Sequence, residues 1–258
     1  MKFIDSHCHL NSPELRESVP AELERAQAAG VLRMAVVGST LADSLEAVNI
    51  CRRYRAAGLF PVVGIHPHEV KEMNGAVAPE LMELEKLPEV KAWGEIGLDY
   101  YYDLSPREMQ IQMLAVQLEA AKTLNKPVVF HVRDAYSDFW PLMTPGRVPE
   151  KAELHCFTGT PDDARRALDL GWKFGVTGMI TFKKAGEIRD VVKQLPVSSL
   201  LCETDSPWMA PVPYRGTVNE PSRVPLVYQK LAEIKGLPAE ELAEQIWQNN
   251  IEFFGLEE

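Results

Sequence analysis

A chain of 258 residues, 46% apolar and 25% charged, has the content of a folded globule with a sizeable core, which excludes extended disorder. Its 27 basic and 37 acidic side chains leave a net charge of −10, which argues against a protein gripping long stretches of nucleic acid through a basic face but leaves room for a local phosphate site. No apolar run of about 18 residues and no basic-then-apolar leader occurs, so a cytosolic protein without a membrane span is expected.

Eight segments rich in β-branched and apolar residues follow, each trailed by a helical pattern. The first, Lys2–Ser6, runs into "SHCHL". Strand alternation there puts Phe3, Asp5, His7 and His9 on one face and Ile4, Ser6 and Cys8 on the other. Next come Arg33–Val37, then Leu59–Gly64, which leads to His66 and His68, and Val90–Ile96, which carries Glu95. After it, Ser105, Pro106 and Glu108 read as the N-cap, first-turn proline and capping-box acid of a helix with Met113, Val116, Ala120 and Leu124 at helical spacing. Pro127–Val132 holds His131, and Ala152–Cys156 holds His155 ahead of a second helix start at Thr160-Pro161-Asp162-Asp163. Trp172–Thr177 and Ser199–Thr204 complete the set, with Glu203 in the last and Asp205 just beyond it.

Prolines forbid a helix through most of Ser206–Pro225, which should lie over one end of the fold. The final helix, Ala239–Phe254, carries Leu242, Ile246 and Phe253 on one side and stops at Gly255. Eight alternations predict an α/β fold, a TIM-like (β/α)8 barrel forming a single domain over 1–258, because open doubly wound sheets more often have five or six strands. Cys8, Cys51, Cys156 and Cys202 show no C-x-x-C spacing and are expected to be reduced thiols without a chemical role.

In such a barrel the C-terminal strand ends form the active site. His7, His9, His66, Glu95, His131, His155, Glu203 and Asp205 all fall there. A lone strand-end histidine more often hydrogen-bonds a loop carbonyl, but imidazoles and carboxylates converging on one mouth are costly to bury without a cation. His7, His9, Glu95, His131, His155 and Asp205 exceed the three protein ligands that one catalytic ion needs. They fit two ions bridged by Glu95, whose shared water is a nucleophile for phosphoester cleavage, with Asp205 also able to take its proton. Asp5 and Glu203 are placed to orient neighbouring ligands; pairing with an ordinary Lys or Arg is the alternative for both. The ions could be Mg²⁺, Mn²⁺ or Zn²⁺.

"FIDSHCHL", "GIHPH", "GEIGLDYY", "FHVRDA", "ELHCFTG", "ETDSP" and "PYRGTVNEP" together resemble the TatD-type metal-dependent deoxyribonucleases of the amidohydrolase-like barrel superfamily, in order from residue 3 to 221. The resemblance implies DNA hydrolysis, often from the 3′ end, by a cytosolic enzyme. It implies that His7 and His9 hold one metal, that His131 and His155 hold the second, and that Glu95 joins the two. Asp205 matches a ligand and base, Glu203 an acidic neighbour, and His66 a phosphate-contacting histidine. Thr217 and Val218 stand where the family frequently has basic residues, which weakens extended backbone contacts at that loop; Arg215, Asn219 and Glu220 remain. Arg133 and Lys183 are further candidate phosphate contacts, with surface solvation as the alternative. Tyr100, Tyr101, Tyr102 and Trp208 could stack on a splayed base, although at least two of the three tyrosines should pack on the rim. The expected enzyme is a monomer acting on the ends of single-stranded or frayed DNA. Two other readings stay open: hydrolysis of a small ester, lactone, amide or aminoacyl ester, and a non-catalytic partner-binding barrel.

Overall fold

The computed structural model describes residues 1–257 apart from 74 and 125. Eight strands, β1 (Phe3–Cys8), β2 (Val31–Val37), β3 (Leu59–Val63), β4 (Ala92–Asp99), β5 (Val128–Arg133), β6 (Ala152–Leu154), β7 (Lys173–Val176) and β8 (Leu200–Cys202), pair in parallel and in sequence order. The helices α1 (Val19–Ala28), α2 (Leu41–Arg53), α3 (Pro79–Glu85), α4 (Arg107–Ala121), α5 (Tyr136–Leu142), α6 (Pro161–Asp169), α7 (Gly186–Gln194), α8 (Val224–Lys235) and α9 (Ala239–Phe254) surround them. This is the TIM-like barrel that the alternation predicts.

The barrel closes between β1 and β8 through few contacts, and these hold the site. Asp205 N–H donates to the His7 carbonyl at 2.9 Å and His9 N–H to the Ser206 carbonyl at 2.8 Å. Below them the Asp5 carboxylate accepts the Thr204 N–H at 2.8 Å and its hydroxyl at 2.6 Å, so a side chain takes the place of ladder bonds at the seam.

Alternation along the strands separates two apolar layers. Trp93, Phe130, Phe139, Leu154 and Trp172 pack in the layer that includes the helices. Ala35, Val37, Phe60, Val62, Ala92, Val129 and Leu201 fill the barrel's interior at its N-terminal half, where Phe253 and Phe254 from the end of α9 close the floor. The same inner face continues upward into polar residues, Val129 being followed by His131 and Leu201 by Glu203. One layer of the interior therefore insulates the barrel and the next carries chemistry.

Two helix starts resolve differently. At α6 the expected capping box forms, with Thr160 and Asp163 exchanging side-chain and backbone bonds. At α4 it does not: the helix begins after Pro106, and the buried Ser105 hydroxyl instead donates to the His68 carbonyl at 2.6 Å, where it braces the β3 loop. A tertiary partner outcompetes the local cap.

Glu85, at the end of α3, is fully buried and neither carboxyl oxygen has a hydrogen-bond partner; Lys126 Nζ stands 3.6 Å away. Burial raises its pKa from 4.5 to about 8, and the lysine offsets this only in part. A carboxyl whose folded pKa lies above its unfolded one contributes stability that is full below the unfolded pKa and is lost as pH rises through the folded one. Glu85→Gln is therefore expected to leave stability nearly unchanged at about pH 4 and to raise it by a few kcal/mol, at most about 5, by pH 8. Urea unfolding of both proteins across that range checks the sign. A difference that is constant with pH would contradict it.

Candidate metal centre at the barrel mouth

Glu95 stands at the centre of the C-terminal mouth, almost wholly buried. Its Oε1 is 2.7 Å from His131 Nδ1 and 2.8 Å from His155 Nε2, and its Oε2 is 3.4 Å from His7 Nε2 and 3.9 Å from His9 Nε2. Asp205 Oδ1 completes the His9 side at 3.7 Å. Backbone packing makes this approach possible. A Cβ on Gly97 would lie 1.8 Å from the His131 carbonyl, so β4 and β5 can only run this close with glycine there.

The outer hydrogen bonds determine which ring nitrogen turns inward. His131 Nε2–H donates to Asp99 Oδ2 at 2.9 Å, which leaves Nδ1 facing Glu95. His155 Nδ1–H donates to Glu203 Oε1 at 3.1 Å, and the Cys156 N–H donates to the same oxygen at 2.6 Å, which leaves Nε2 inward. His9 Nδ1–H donates to the Val37 carbonyl at 3.0 Å. His7 Nδ1 is buried without a partner. Several inward ring nitrogens thus converge on a carboxylate, an arrangement that needs a proton or a cation between them. Protons can play that part: burial disfavours charge at His155, but the Glu95 and Glu203 carboxylates outweigh it and hold the imidazole well above its ordinary value. Glu95 is held well below its ordinary value, burial being overcome by His155, His66 and His7. Candidate ligand atoms of His7, His9 and Glu95, of His7, His155 and Glu203, and of His66, Glu95 and His131 lie within 4.8 Å of one another in each set. The donor chemistry fits divalent ions of the zinc, manganese or magnesium type.

His66 differs from its neighbours. Its Nδ1 accepts the His68 N–H at 3.1 Å, so Nε2 carries the hydrogen and points toward Glu95 Oε1 at 3.6 Å. Burial holds the ring neutral, well below its ordinary pKa, with the His131 and His68 rings adding to that effect and Glu95 opposing it. It is a hydrogen-bond donor to the mouth.

Above these groups lies a cavity of about 540 Å³ whose walls include Arg133, Tyr102 and Trp208. The sequence profile of the family described as "TatD related DNase" matches residues 4–255. The chain belongs to the TatD family. It is 34% identical to the uncharacterized metal-dependent hydrolase YabD of Bacillus subtilis, with 96% of each chain covered. It is 33% identical to the 3′-5′ ssDNA/RNA exonuclease TatD of Erwinia amylovora, over 98% of this chain and 100% of that one. The crystal structure of YjjV, a TatD homologue from Escherichia coli, superposes with a TM-score of 0.90 at 31% identity, covering 99% and 98% of the two chains. Metal-dependent hydrolysis follows from this membership. No helix among the described residues is long and apolar enough to cross a membrane.

Within this TatD barrel the predicted ligands His7, His9, Glu95, His131, His155 and Asp205 gather at one point, with His66 beside them. The expected substrate contacts divide. Arg133 lines the cavity, its guanidinium 4.0 Å from the Tyr101 ring centroid. Tyr100 lies outside it: the hydroxyl donates to Asp138 Oδ2 at 2.7 Å and Arg107 covers the ring, so this is rim packing, and Tyr102 forms the wall instead. Arg215 also lies outside, stacked over Phe182 at 4.3 Å. Asn219 is fully buried and donates to the Thr204 carbonyl at 2.9 Å; it ties the proline-rich loop to β8 and cannot touch a ligand from there. Asp5 accepts the His7 N–H at 3.3 Å and never reaches the ring, while Glu203 orients His155 instead of Asp205. Neither acid pairs with Lys or Arg among the described residues.

Two acids escaped the sequence reading. Asp99 takes the N–H groups of Tyr101 at 2.9 Å and Tyr102 at 2.8 Å besides His131. His131, His68, whose Nε2 lies 3.0 Å from Oδ2, and the Tyr102 N–H outweigh its burial and hold it far below the ordinary carboxylate range. Period-two alternation from Glu95 through Gly97 to Asp99 was the available signal. Glu153, two residues before His155, is fully buried without a hydrogen-bond partner; burial and the adjacent Glu203 push its pKa well up and keep it neutral. Bare Gly175 makes room for both, since a Cβ there would stand 2.5 Å from Glu203 Oε2 and 2.7 Å from Glu153 Oε1.

Asp99→Asn should release the tautomer that aims His131 Nδ1 inward. Metal affinity is expected to fall about 10- to 100-fold, read by competition with a chromophoric chelator. Unchanged affinity would remove Asp99 from this part.

Proposed function

We propose that this TatD-family hydrolase is a two-metal nuclease that removes nucleotides from the 3′ end of single-stranded or frayed DNA. The observation that carries the reading is the position of Glu95, whose two carboxylate oxygens face different imidazole pairs, His131 and His155 on one side and His7 and His9 on the other. His7 and His9 would hold one ion, His131 and His155 the other, Glu95 both, and Asp205 the ion on the His9 side. Bound there, the ions would polarise a phosphoryl oxygen and lower the pKa of a water toward about 7.

The remaining steps belong to the chain. Asp205 is buried at the mouth and its pKa is lowered, burial being overcome by His9, His155 and His7, so it stands ready as a carboxylate to accept a proton. His66 Nε2–H donates to a non-bridging phosphate oxygen, and its neutrality lets it do so without competing with the ions. Glu203 and Asp99 hold His155 and His131 in their inward tautomers. Arg133 neutralises an adjoining phosphate, while Tyr102 and Trp208 offer faces to a terminal base, each worth about 1 to 3 kcal/mol when stacked. The exonuclease name of the Erwinia relative supports attack at a strand end.

Oligonucleotides labelled at the 3′ or the 5′ end, incubated with Mg²⁺, Mn²⁺ and Zn²⁺ in turn beside a panel of small esters and lactones, test this. Successive loss of the 3′ label is expected. Turnover of the small esters without DNA cleavage would replace the nuclease reading with the amidohydrolase one.

A further inference from the structure

A second concavity, of about 600 Å³, opens at the opposite, N-terminal end of the barrel. Lys91, Lys122, Lys126, Arg147 and Lys151 line it, against the single carboxylate of Glu150. In a chain with ten more acidic than basic residues this local reversal of charge stands out. Its origin is the topology: Lys91 and Lys151 immediately precede β4 and β6, and Lys126 lies two residues before β5, so three neighbouring strands each begin beside an ammonium.

Lys126 is turned toward Glu85, its Nζ 3.6 Å from that carboxylate, but compensation for the other four charges is thin. Lys122 and Arg147 share one carboxylate, Glu119. Lys151 reaches only the Glu252 carbonyl, at 3.5 Å, and Lys91 has no carboxylate partner among the described residues. The carbonyls hold lysine heads in place but carry no full charge. The rest of the lining is apolar, with Pro88, Val90, Pro127 and Pro149 beside the α9 phenylalanines. A cavity of this size lined by both cationic and apolar side chains suits a small organic anion, and it is larger than an inorganic ion needs.

We propose that this basin binds a small organic phosphate of the nucleotide class, with phosphate among Lys91, Lys122, Arg147 and Lys151 and the apolar part against the prolines. The assignment does not depend on the nuclease reading, since it uses none of the mouth residues. AMP is the probe, titrated calorimetrically into the metal-loaded protein and into Lys91→Glu/Lys151→Glu, which share the same mouth. The double variant is expected to lose basin binding by at least about tenfold with hydrolase activity unchanged. Lysine acylation read by mass spectrometry gives a second measurement on the unaltered protein, with AMP expected to protect Lys91 and Lys151. Adenosine and inorganic phosphate should each bind at least about tenfold more weakly than AMP. Equal AMP binding by the variant, protection of neither lysine, or inorganic phosphate binding as tightly as AMP would overturn the proposal. Tighter binding of a single-stranded oligonucleotide to the same lysines would do so as well.

Discussion

Asp205→Asn is expected to lower nucleic-acid hydrolysis by about 10³-fold or more while leaving oligonucleotide affinity within a few-fold of the parent. The substitution keeps the shape and one oxygen of the side chain but removes the negative charge and the capacity to take a proton. Asp205 adopts a left-handed backbone conformation, φ 52, and its N–H is tied to the His7 carbonyl. Asn tolerates that conformation better than most residues, so the fold should survive and the comparison should isolate chemistry. Single-turnover cleavage and fluorescence anisotropy with a labelled strand measure the two quantities separately. A variant that retains near-parental rate would take Asp205 out of the mechanism.

Glu95→Ala should have the second large effect, on metal content as well as rate. Without this carboxylate the imidazoles of His7, His9, His131 and His155 lose the anion that they surround, and each of the two postulated ions loses a ligand. Metal per chain after gel filtration is expected to fall by at least one ion and activity to fall by about 10⁴-fold. Removing one member of a buried charged cluster is usually destabilising by about 3 to 5 kcal/mol. Here the metal-free protein should lose less, because Glu95 acts with Asp99 on His131 and with Glu203 on His155 to raise the imidazole pKa, so without it both rings shift back toward the neutral form and leave less uncompensated charge. Elemental analysis and thermal unfolding with and without chelator check both parts. Full metal occupancy in the variant would exclude Glu95 as the shared ligand.

These two predictions concern residues that were legible before the fold was known, and the contrast with Asn219, Arg215 and Tyr100 is instructive. A strand end with a histidine or carboxylate points to a barrel mouth because parallel strands deliver their C-terminal ends to one side, whatever the loops do. Loop residues obey no such rule. Asn219 looks like a ligand contact in "PYRGTVNEP" but turns inward because the loop's own backbone needs a bond to β8. Ser105 behaves alike, abandoning its helix cap for the His68 carbonyl.

The periodicity of eight apolar segments and the residue types at their ends determined the barrel, the gathering of imidazoles and carboxylates at its mouth and the family resemblance, because backbone alternation and strand direction are local properties that composition and spacing record. Which nitrogen of each imidazole faces inward, that Asp99 and Glu203 dictate it, and that Lys91, Lys126 and Lys151 meet around one basin were decided only by tertiary structure. Those outcomes depend on how side chains from neighbouring strands are brought together, and so on registers and close glycine contacts that no single segment encodes.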